Sequence, residues 1–244
     1  MKKEVVISIV NLKKSFGENE VLKQVNLEVF KGEDLVILGR SGSGKSITIK
    51  CIVGLVVADA GSIKVFDIDI TKLNNTALNE IRSKIGFMFQ NGALYDSMSV
   101  RQNLAFTLKH HTKNIASEEI EKQIIEALTN VGLEDAIDKM PAELSGGMRK
   151  RIALARTLII KPEIILYDEP TSGLDTITSR EISELILSVQ KKYKTTSIII
   201  THDMSCAKLT GNRIMILKDG IIYAEGTYNQ LEKSSDNWVR SFFN

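Results

Sequence analysis

Cysteine, proline and tryptophan are scarce in this 244-residue chain, which holds two, three and one of them. Cys51 and Cys206 lie far apart, with no Cys-x-x-Cys or histidine pattern beside them. That excludes a disulfide scaffold or a zinc site and predicts buried, reduced thiols in an intracellular protein. Apolar runs such as Leu35–Leu38, Ile164–Leu166 and Ile198–Ile200 are short, and nothing approaches the ~18 residues a membrane-spanning helix needs. Met1–Ile7 begins with charge but lacks a long apolar stretch and a small-residue cleavage site, so it does not read as a signal peptide. An excess of one charge is also missing. Lys plus Arg number 32 against 30 Asp plus Glu, a net charge of +2, which argues against a protein that coats nucleic acid. Low complexity is absent too, since 43% hydrophobic and 25% charged residues are ordinary for a soluble globular chain.

Periodicity supplies the organisation. Val25, Leu27 and Val29 alternate with polar residues, the period of a half-buried strand, and Leu35–Leu38 reads as a strand buried on both faces. A Gly/Ser loop follows, then Ile49, Ile52 and Val53 at helical spacing. From about Ser99 to Leu158 the pattern is helical. Ile120, Ile124, Ile125, Leu128 and Val131 form one expected apolar face, with Ser117 as N-cap, Glu118 and Glu119 in the first turn and Gly132 just past the end. Buried strands return at 164–168, 197–201 and 214–217, with a crossover helix marked by Ile182, Leu185, Ile186 and Val189. This alternation predicts a mainly parallel α/β sheet, and Asp219-Gly220 predicts an antiparallel hairpin. Pro141, Pro162 and Pro170 each fall at an element boundary.

Two motifs carry chemistry. Gly39-Arg40-Ser41-Gly42-Ser43-Gly44-Lys45-Ser46 fits G-x-x-x-x-G-K-[ST] between a buried strand and a helix. Glycines let successive backbone N–H groups curl around phosphate oxygens, and the helix adds its positive end. Lys45 then serves the outer phosphates and Ser46 can ligand Mg²⁺. In Ile164–Pro170 an apolar strand ends in Asp168 and Glu169, placing two carboxylates at the edge where α/β folds bind ligands. Asp168 is expected to hold Mg²⁺ through water, and Glu169 to orient or activate an attacking water.

Leu144-Ser145-Gly146-Gly147-Met148 opens a helix carrying Arg149, Lys150, Arg151 and Arg156. Taken alone it reads as an N-cap with a basic, solvated helix face. As a second Gly-rich helix N-terminus it reads as a second phosphate device, used most simply by closing on the nucleotide of another copy in a head-to-tail dimer. His110-His111 lack a carboxylate or thiol cluster and read as surface or packing residues. Trp238, Phe242 and Phe243 are left open between packing on the domain and meeting a partner.

With these motifs in order, the chain resembles the ATP-binding subunit of ABC transporters over essentially its full length. The resemblance implies a P-loop NTPase fold (α/β) with a mainly parallel central sheet, antiparallel β additions and a helical subdomain insertion. It implies one domain over 1–244, with a RecA-like core and β subdomain in 1–90 and 160–244 and the helical subdomain in about 91–159. The implied cofactors are ATP and Mg²⁺. Phe16 matches the residue that stacks on adenine. Gly39, Ser41, Gly42, Ser43, Gly44, Lys45, Ser46 and Ile47 match the phosphate loop. Gln90 matches the glutamine linking Mg²⁺ and the attacking water to a transmembrane partner. Ser145, Gly146 and Gly147 match the signature loop, Asp175 ends the Ser172–Asp175 loop of the dimer interface, and His202 matches the switch histidine. Glu169, His202, Lys45 and Gln90 are thus the implied catalytic set, with Ser46, Gln90 and Asp168 as metal ligands. A lone histidine at the position of His202 is otherwise more often structural. Ile47 stands where the family commonly has Thr, and Met148 where it has Gln; each removes one polar side chain near phosphate. The segments Gln90–Val100 and Ser145–Arg151 resemble the Mla-type lipid-trafficking group. That implies an ATP-sandwich dimer of this chain, an MlaE-like integral-membrane permease, an MCE-class substrate-binding protein, no nucleic acid, and a peripheral place on the cytoplasmic face of the inner membrane. The weighed rivals are transporters of amino acids, ions or drugs, an ABC-type ATPase of translation or DNA repair, and a regulatory nucleotide-binding module without turnover.

Overall fold

Alternation along the central strands builds two cores on opposite faces of one sheet. The computed structural model describes residues 4–112 and 114–243. Its strands are β1 (Val5–Phe16), β2 (Asn19–Phe30), β3 (Asp34–Leu38), β4 (Ala60–Val65), β5 (Ile68–Asp69), β6 (Ile85–Met88), β7 (Ile164–Asp168), β8 (Thr196–Ile200), β9 (Arg213–Lys218) and β10 (Ile221–Gly226). In β3, Val36 and Leu38 join one buried cluster while Leu35 and Ile37 join the other. Ile165 and Tyr167 of β7 are likewise split from Ile164 and Leu166. Successive side chains point to opposite faces, so a strand apolar throughout needs cover on both.

That cover comes from the helices. Among the described residues these are α1 (Lys45–Ile52), α2 (Asn75–Arg82), α3 (Val100–His111), α4 (Ser117–Thr129), α5 (Gly146–Leu158), α6 (Thr176–Tyr193), α7 (Met204–Thr210), α8 (Tyr228–Glu232) and α9 (Asn237–Arg240). Residues of α3 to α7 belong to the cluster with Val36, and residues of α1 and α2 to the cluster with Leu35. The sheet runs β5-β4-β1-β2-β10-β9-β3-β8-β7-β6. From β9 to β6 all pairs are parallel; β9–β10, β1–β2, β1–β4 and β4–β5 are antiparallel. The expected hairpin at Asp219-Gly220 is present. The two halves meet at one parallel register pair, Ile221 with Gln24. Both cysteines are buried and free.

Two expectations for α4 are corrected. Its N-cap is Ala116, without a side-chain hydrogen bond, so Ser117 is the first helical residue and not the cap. The first turn is left to Glu118 and Glu119, whose charge suits the positive end of the helix. Ile125 is 49% exposed, because it follows Ile124 directly and lies about 100° around the helix from it. Ile120, Ile124, Ala127 and Leu128 are the buried stripe. The long N-terminal strand β1 and the turn of sheet it forms with β4 were not singled out by periodicity. His110 and His111 are exposed, and no metal-binding cluster of His, Cys, Asp or Glu occurs among the described residues.

Asp34 opens β3 at 1% exposure, and burial pushes its carboxyl up to about 7 from an ordinary 3.8. The folded state therefore holds a proton that the unfolded chain has released between about pH 4 and pH 7. Stability from this group is fully present below pH 4 and falls as pH rises through 7, by roughly 1 kcal/mol per pH unit across that window. In Asp34→Asn this slope is expected to vanish, so the stability of the variant minus that of the parent rises between pH 4 and 7. Denaturant unfolding at four pH values reads the difference; a constant offset refutes the assignment.

Candidate functional site

Parallel strands put their C-terminal ends on one side of a sheet, and that is where the sequence motifs meet. The loop after β3 carries residues 39–44, β7 ends in Asp168 and is followed by Glu169, β8 is followed by Thr201 and His202, and Gln90 follows β6. Phe16, Lys45, Gln90, Glu169 and His202 line one cleft of about 740 Å³.

The loop needs glycine where the backbone turns left-handed. Gly44 has φ of 102° and caps α1, and a Cβ there would stand 2.5 Å from Leu22 Cδ2. Lys45 folds back over the loop, its Nζ donating to the carbonyls of Gly39 at 2.8 Å and Arg40 at 3.2 Å. Burial lowers the Lys45 ammonium's proton affinity, while Glu169 and Asp168 oppose that. Glu169 Oε1 lies 3.9 Å from Lys45 Nζ.

Glu169 adopts φ of 52°, the left-handed region that costs a non-glycine residue energy and recurs at functional sites. Its Oε2 accepts from the His202 backbone N–H at 3.3 Å and lies 2.8 Å from His202 Nδ1. The Glu169 side chain is 10% exposed and that of His202 68%. The carboxylate is thus held from within while the imidazole reaches outward. Asp168 Oδ1 accepts from the Ser46 hydroxyl at 2.6 Å.

These residues fit a magnesium nucleotide. Ser46 and Asp168 present two hard oxygen donors side by side, the donor type magnesium prefers. Ser43 Oγ in the phosphate loop is buried without a hydrogen-bond partner, and buried polar groups are ordinarily satisfied. A phosphate oxygen would supply such a partner.

Ser145, Gly146, Gly147 and Asp175 are not among the residues lining this cleft. Ser145 caps α5, its Oγ accepting from the Met148 N–H at 3.2 Å, and Gly146 is exposed. Asp175 caps α6, and the Thr178 hydroxyl at 2.6 Å holds its carboxyl below the usual range. Ile47 lines the cleft and packs on the core, and Met148 is half-buried against the other cluster.

Lys150 corrects the reading of a solvated basic face. It is 7% exposed, and its Nζ donates to the carbonyls of Gln90 at 2.5 Å and Glu169 at 3.1 Å and to Ser172 Oγ at 3.4 Å. Two loops, the one after β6 and the one after β7, are tied to α5 through this one ammonium. The signal was the spacing Lys150, Leu154, Thr157 and Leu158, which places it on the buried face. Arg156 similarly donates to the Gly92 and Ala93 carbonyls, at 2.9 and 2.5 Å.

Residues 22–172 match the family model described as ABC transporter. The chain belongs to the ABC transporter family. It is 40% identical over 240 residues to the "Probable ribonucleotide transport ATP-binding protein mkl" of Mycobacterium leprae, covering 98% of this chain and 69% of that one. It is 37% identical over 226 residues to the "Methionine import ATP-binding protein MetN" of Clostridium tetani, covering 93% and 70%. Among solved structures, the ATP-binding cassette MJ0796, a dimer in a post-hydrolysis state bound to ADP and Pi, superposes with a TM-score of 0.84 at 34% identity, covering 91% of this chain and 98% of that one. This ABC subunit therefore has the P-loop ABC ATPase fold, binds ATP with Mg²⁺ and hydrolyses it. No helix among its described residues is long and apolar enough to cross a membrane.

Proposed function

We propose that two copies of this ABC ATPase close head to tail around two Mg·ATP and drive an integral-membrane permease that moves phospholipid. The observation that carries the dimer is the separation of its parts. The phosphate loop, Glu169 and His202 share a cleft from which Ser145–Gly147 and Asp175 are missing, although the glycine-rich start of α5, capped by the neutral Ser145, is of the kind suited to phosphate. A second copy completes the site, in keeping with the dimeric state of MJ0796. Residues 91–159 then act as a helical subdomain carrying that loop, and 1–90 with 160–244 as the nucleotide-binding core.

In the closed site the loop N–H groups, Ser43 and Lys45 of one copy hold the triphosphate, and Phe16 stacks on the base. Ser46, with Asp168 and Gln90 nearby, would hold Mg²⁺, which would supply positive charge to offset that of the phosphates. Glu169 accepts a proton from the attacking water, and His202 both positions Glu169 and supports the γ-phosphate. Cleavage of the terminal phosphate removes the charge that bridges the copies, and they part.

The lipid reading rests on the likeness of Gln90–Val100 and Ser145–Arg151 to Mla-type subunits, with an MlaE-like permease and an MCE-class binding protein as partners and the cytoplasmic face of the inner membrane as the place of work. A second reading, amino-acid import, draws on the identity with MetN. Affinity purification of the tagged chain from membranes, with lipid analysis of the eluate, separates them. The expected result is a co-purifying permease carrying bound phospholipid. A permease whose transport follows methionine instead overturns the lipid reading.

A further inference from the structure

The cleft has a second aromatic wall that no motif supplies. Phe242, from the end of the chain, lines it together with Phe16. Its position is fixed by a ladder of rings. Phe242 meets Trp238 edge to face at 4.9 Å, and Trp238 meets Tyr223 of β10 edge to face at 5.1 Å. Lys218 of β9 places its ammonium 4.3 Å from the ring centres of both Tyr223 and Trp238. Asp236 closes the arrangement by accepting from the Tyr223 hydroxyl at 2.6 Å and from the Trp238 backbone N–H at 2.7 Å. Trp238 also lines an adjoining hollow of about 470 Å³, shared with Arg40, Ser41 and Gly42 of the phosphate loop. The arm therefore lies against the loop and ends in the cleft.

We infer that Phe242 is a nucleotide-contacting residue that packs on the purine base of ATP alongside Phe16, and that Trp238 is a positioning residue holding it there. This rests on the assignment of the cleft to ATP. A half-buried phenyl ring at the wall of a wet cleft gains most by covering another flat apolar surface. A base offers one, and stacking on an aromatic side chain is tolerant of base identity because every base has a π-face. Lys45, Ser43 and the loop N–H groups hold the phosphates, so the arm is left to hold the base.

The test separates base from phosphate. Trp238 is the sole tryptophan, so its emission reports on the arm without labelling. The full chain is titrated with ATP and, separately, with inorganic tripolyphosphate, following tryptophan emission and, independently, heat of binding. ATP is expected to change Trp238 emission, and tripolyphosphate to bind without that change. Phe242→Ala is expected to weaken ATP about 5- to 10-fold while leaving tripolyphosphate affinity unaltered, and Phe242→Tyr to restore ATP binding. Phe242→Leu keeps the apolar packing but not the flat ring, and is expected to stay weak. Trp238→Ala, read by heat alone, is expected to behave like Phe242→Ala. Equal ATP affinity in Phe242→Ala and the parent overturns the inference, and so does an equal loss for ATP and tripolyphosphate, which makes the arm a mere prop of the loop. If the parent chain binds neither ligand, the assignment of the cleft itself fails.

Discussion

Glu169→Gln is expected to lower ATP turnover by about 10²- to 10⁴-fold, the contribution of a positioned general base, while ATP binding persists. The substitution changes one atom and keeps the shape of a side chain that is 10% exposed. The glutamine carbonyl can still accept from the His202 backbone N–H, which reaches Glu169 Oε2 at 3.3 Å. What is lost is the ability to take a proton. The carboxylate charge 3.9 Å from Lys45 is lost too, which frees that ammonium for phosphate. Binding held and chemistry stopped means that the ATP-bound dimer accumulates. Light scattering after size-exclusion chromatography in Mg·ATP is expected to show dimer for Glu169→Gln and mainly monomer for the parent after turnover. Full ATPase activity in the variant would remove Glu169 from the catalytic role.

Lys150→Met has the second large effect, through stability and turnover together. Methionine replaces the buried stem but leaves the carbonyls of Gln90 and Glu169 without their donor. Each buried acceptor left unpaired costs about 1–3 kcal/mol. Against this stands relief from burying a charge, since burial already lowers the proton affinity of Lys150. The Coulomb attraction of Glu169 and Asp168 offsets part of that penalty, so relief is the smaller quantity. A net loss of about 2 kcal/mol corresponds to roughly 4–8 °C in melting temperature for a chain of this size. Because Lys150 holds the carbonyl of Glu169, whose φ is 52°, kcat is expected to fall while the affinity for ATP stays within about twofold, well under the tenfold that 1.4 kcal/mol represents. Lys150→Arg, which keeps the donors, is expected to recover much of kcat. Calorimetry and steady-state kinetics read both; an unchanged melting point with unchanged kcat refutes the tie.

The parallel half of the sheet was legible because strands buried on both faces must be apolar at every position, as Leu35–Leu38 and Ile198–Ile200 are. The strand–loop–helix order then places Lys45, Ser46, Asp168 and Glu169 on one edge from the sequence alone. The contact between Ser46 and Asp168, 122 residues apart, follows from that edge. The residues that escaped did so for equally physical reasons. Lys150 looked solvated because lysine is rarely buried, and its partners are backbone carbonyls, which no residue letter announces. Ser117 resembled a cap because serine favours that place, yet φ and ψ of −66° and 147° assign it to Ala116. Phe242 carried no motif, and only the fold of β9 and β10 brings the end of the chain back to Phe16.

The single register pair between Ile221 and Gln24 has a mechanical meaning. It is a seam: on one side lie β1, β2, β4 and β5 with Phe16 at the end of β1, and on the other the parallel strands and the aromatic arm. A base held by Phe16 and Phe242 together, as proposed, would bridge that seam like a rivet, fastening two plates whose backbones otherwise meet at this pair and where the Lys23 and Gln24 N–H groups donate to the Gly220 carbonyl. Loading the cleft is then expected to stiffen the plate that carries Phe16, and slowed amide exchange along β1 and β2 is the measurement that would make that stiffness visible.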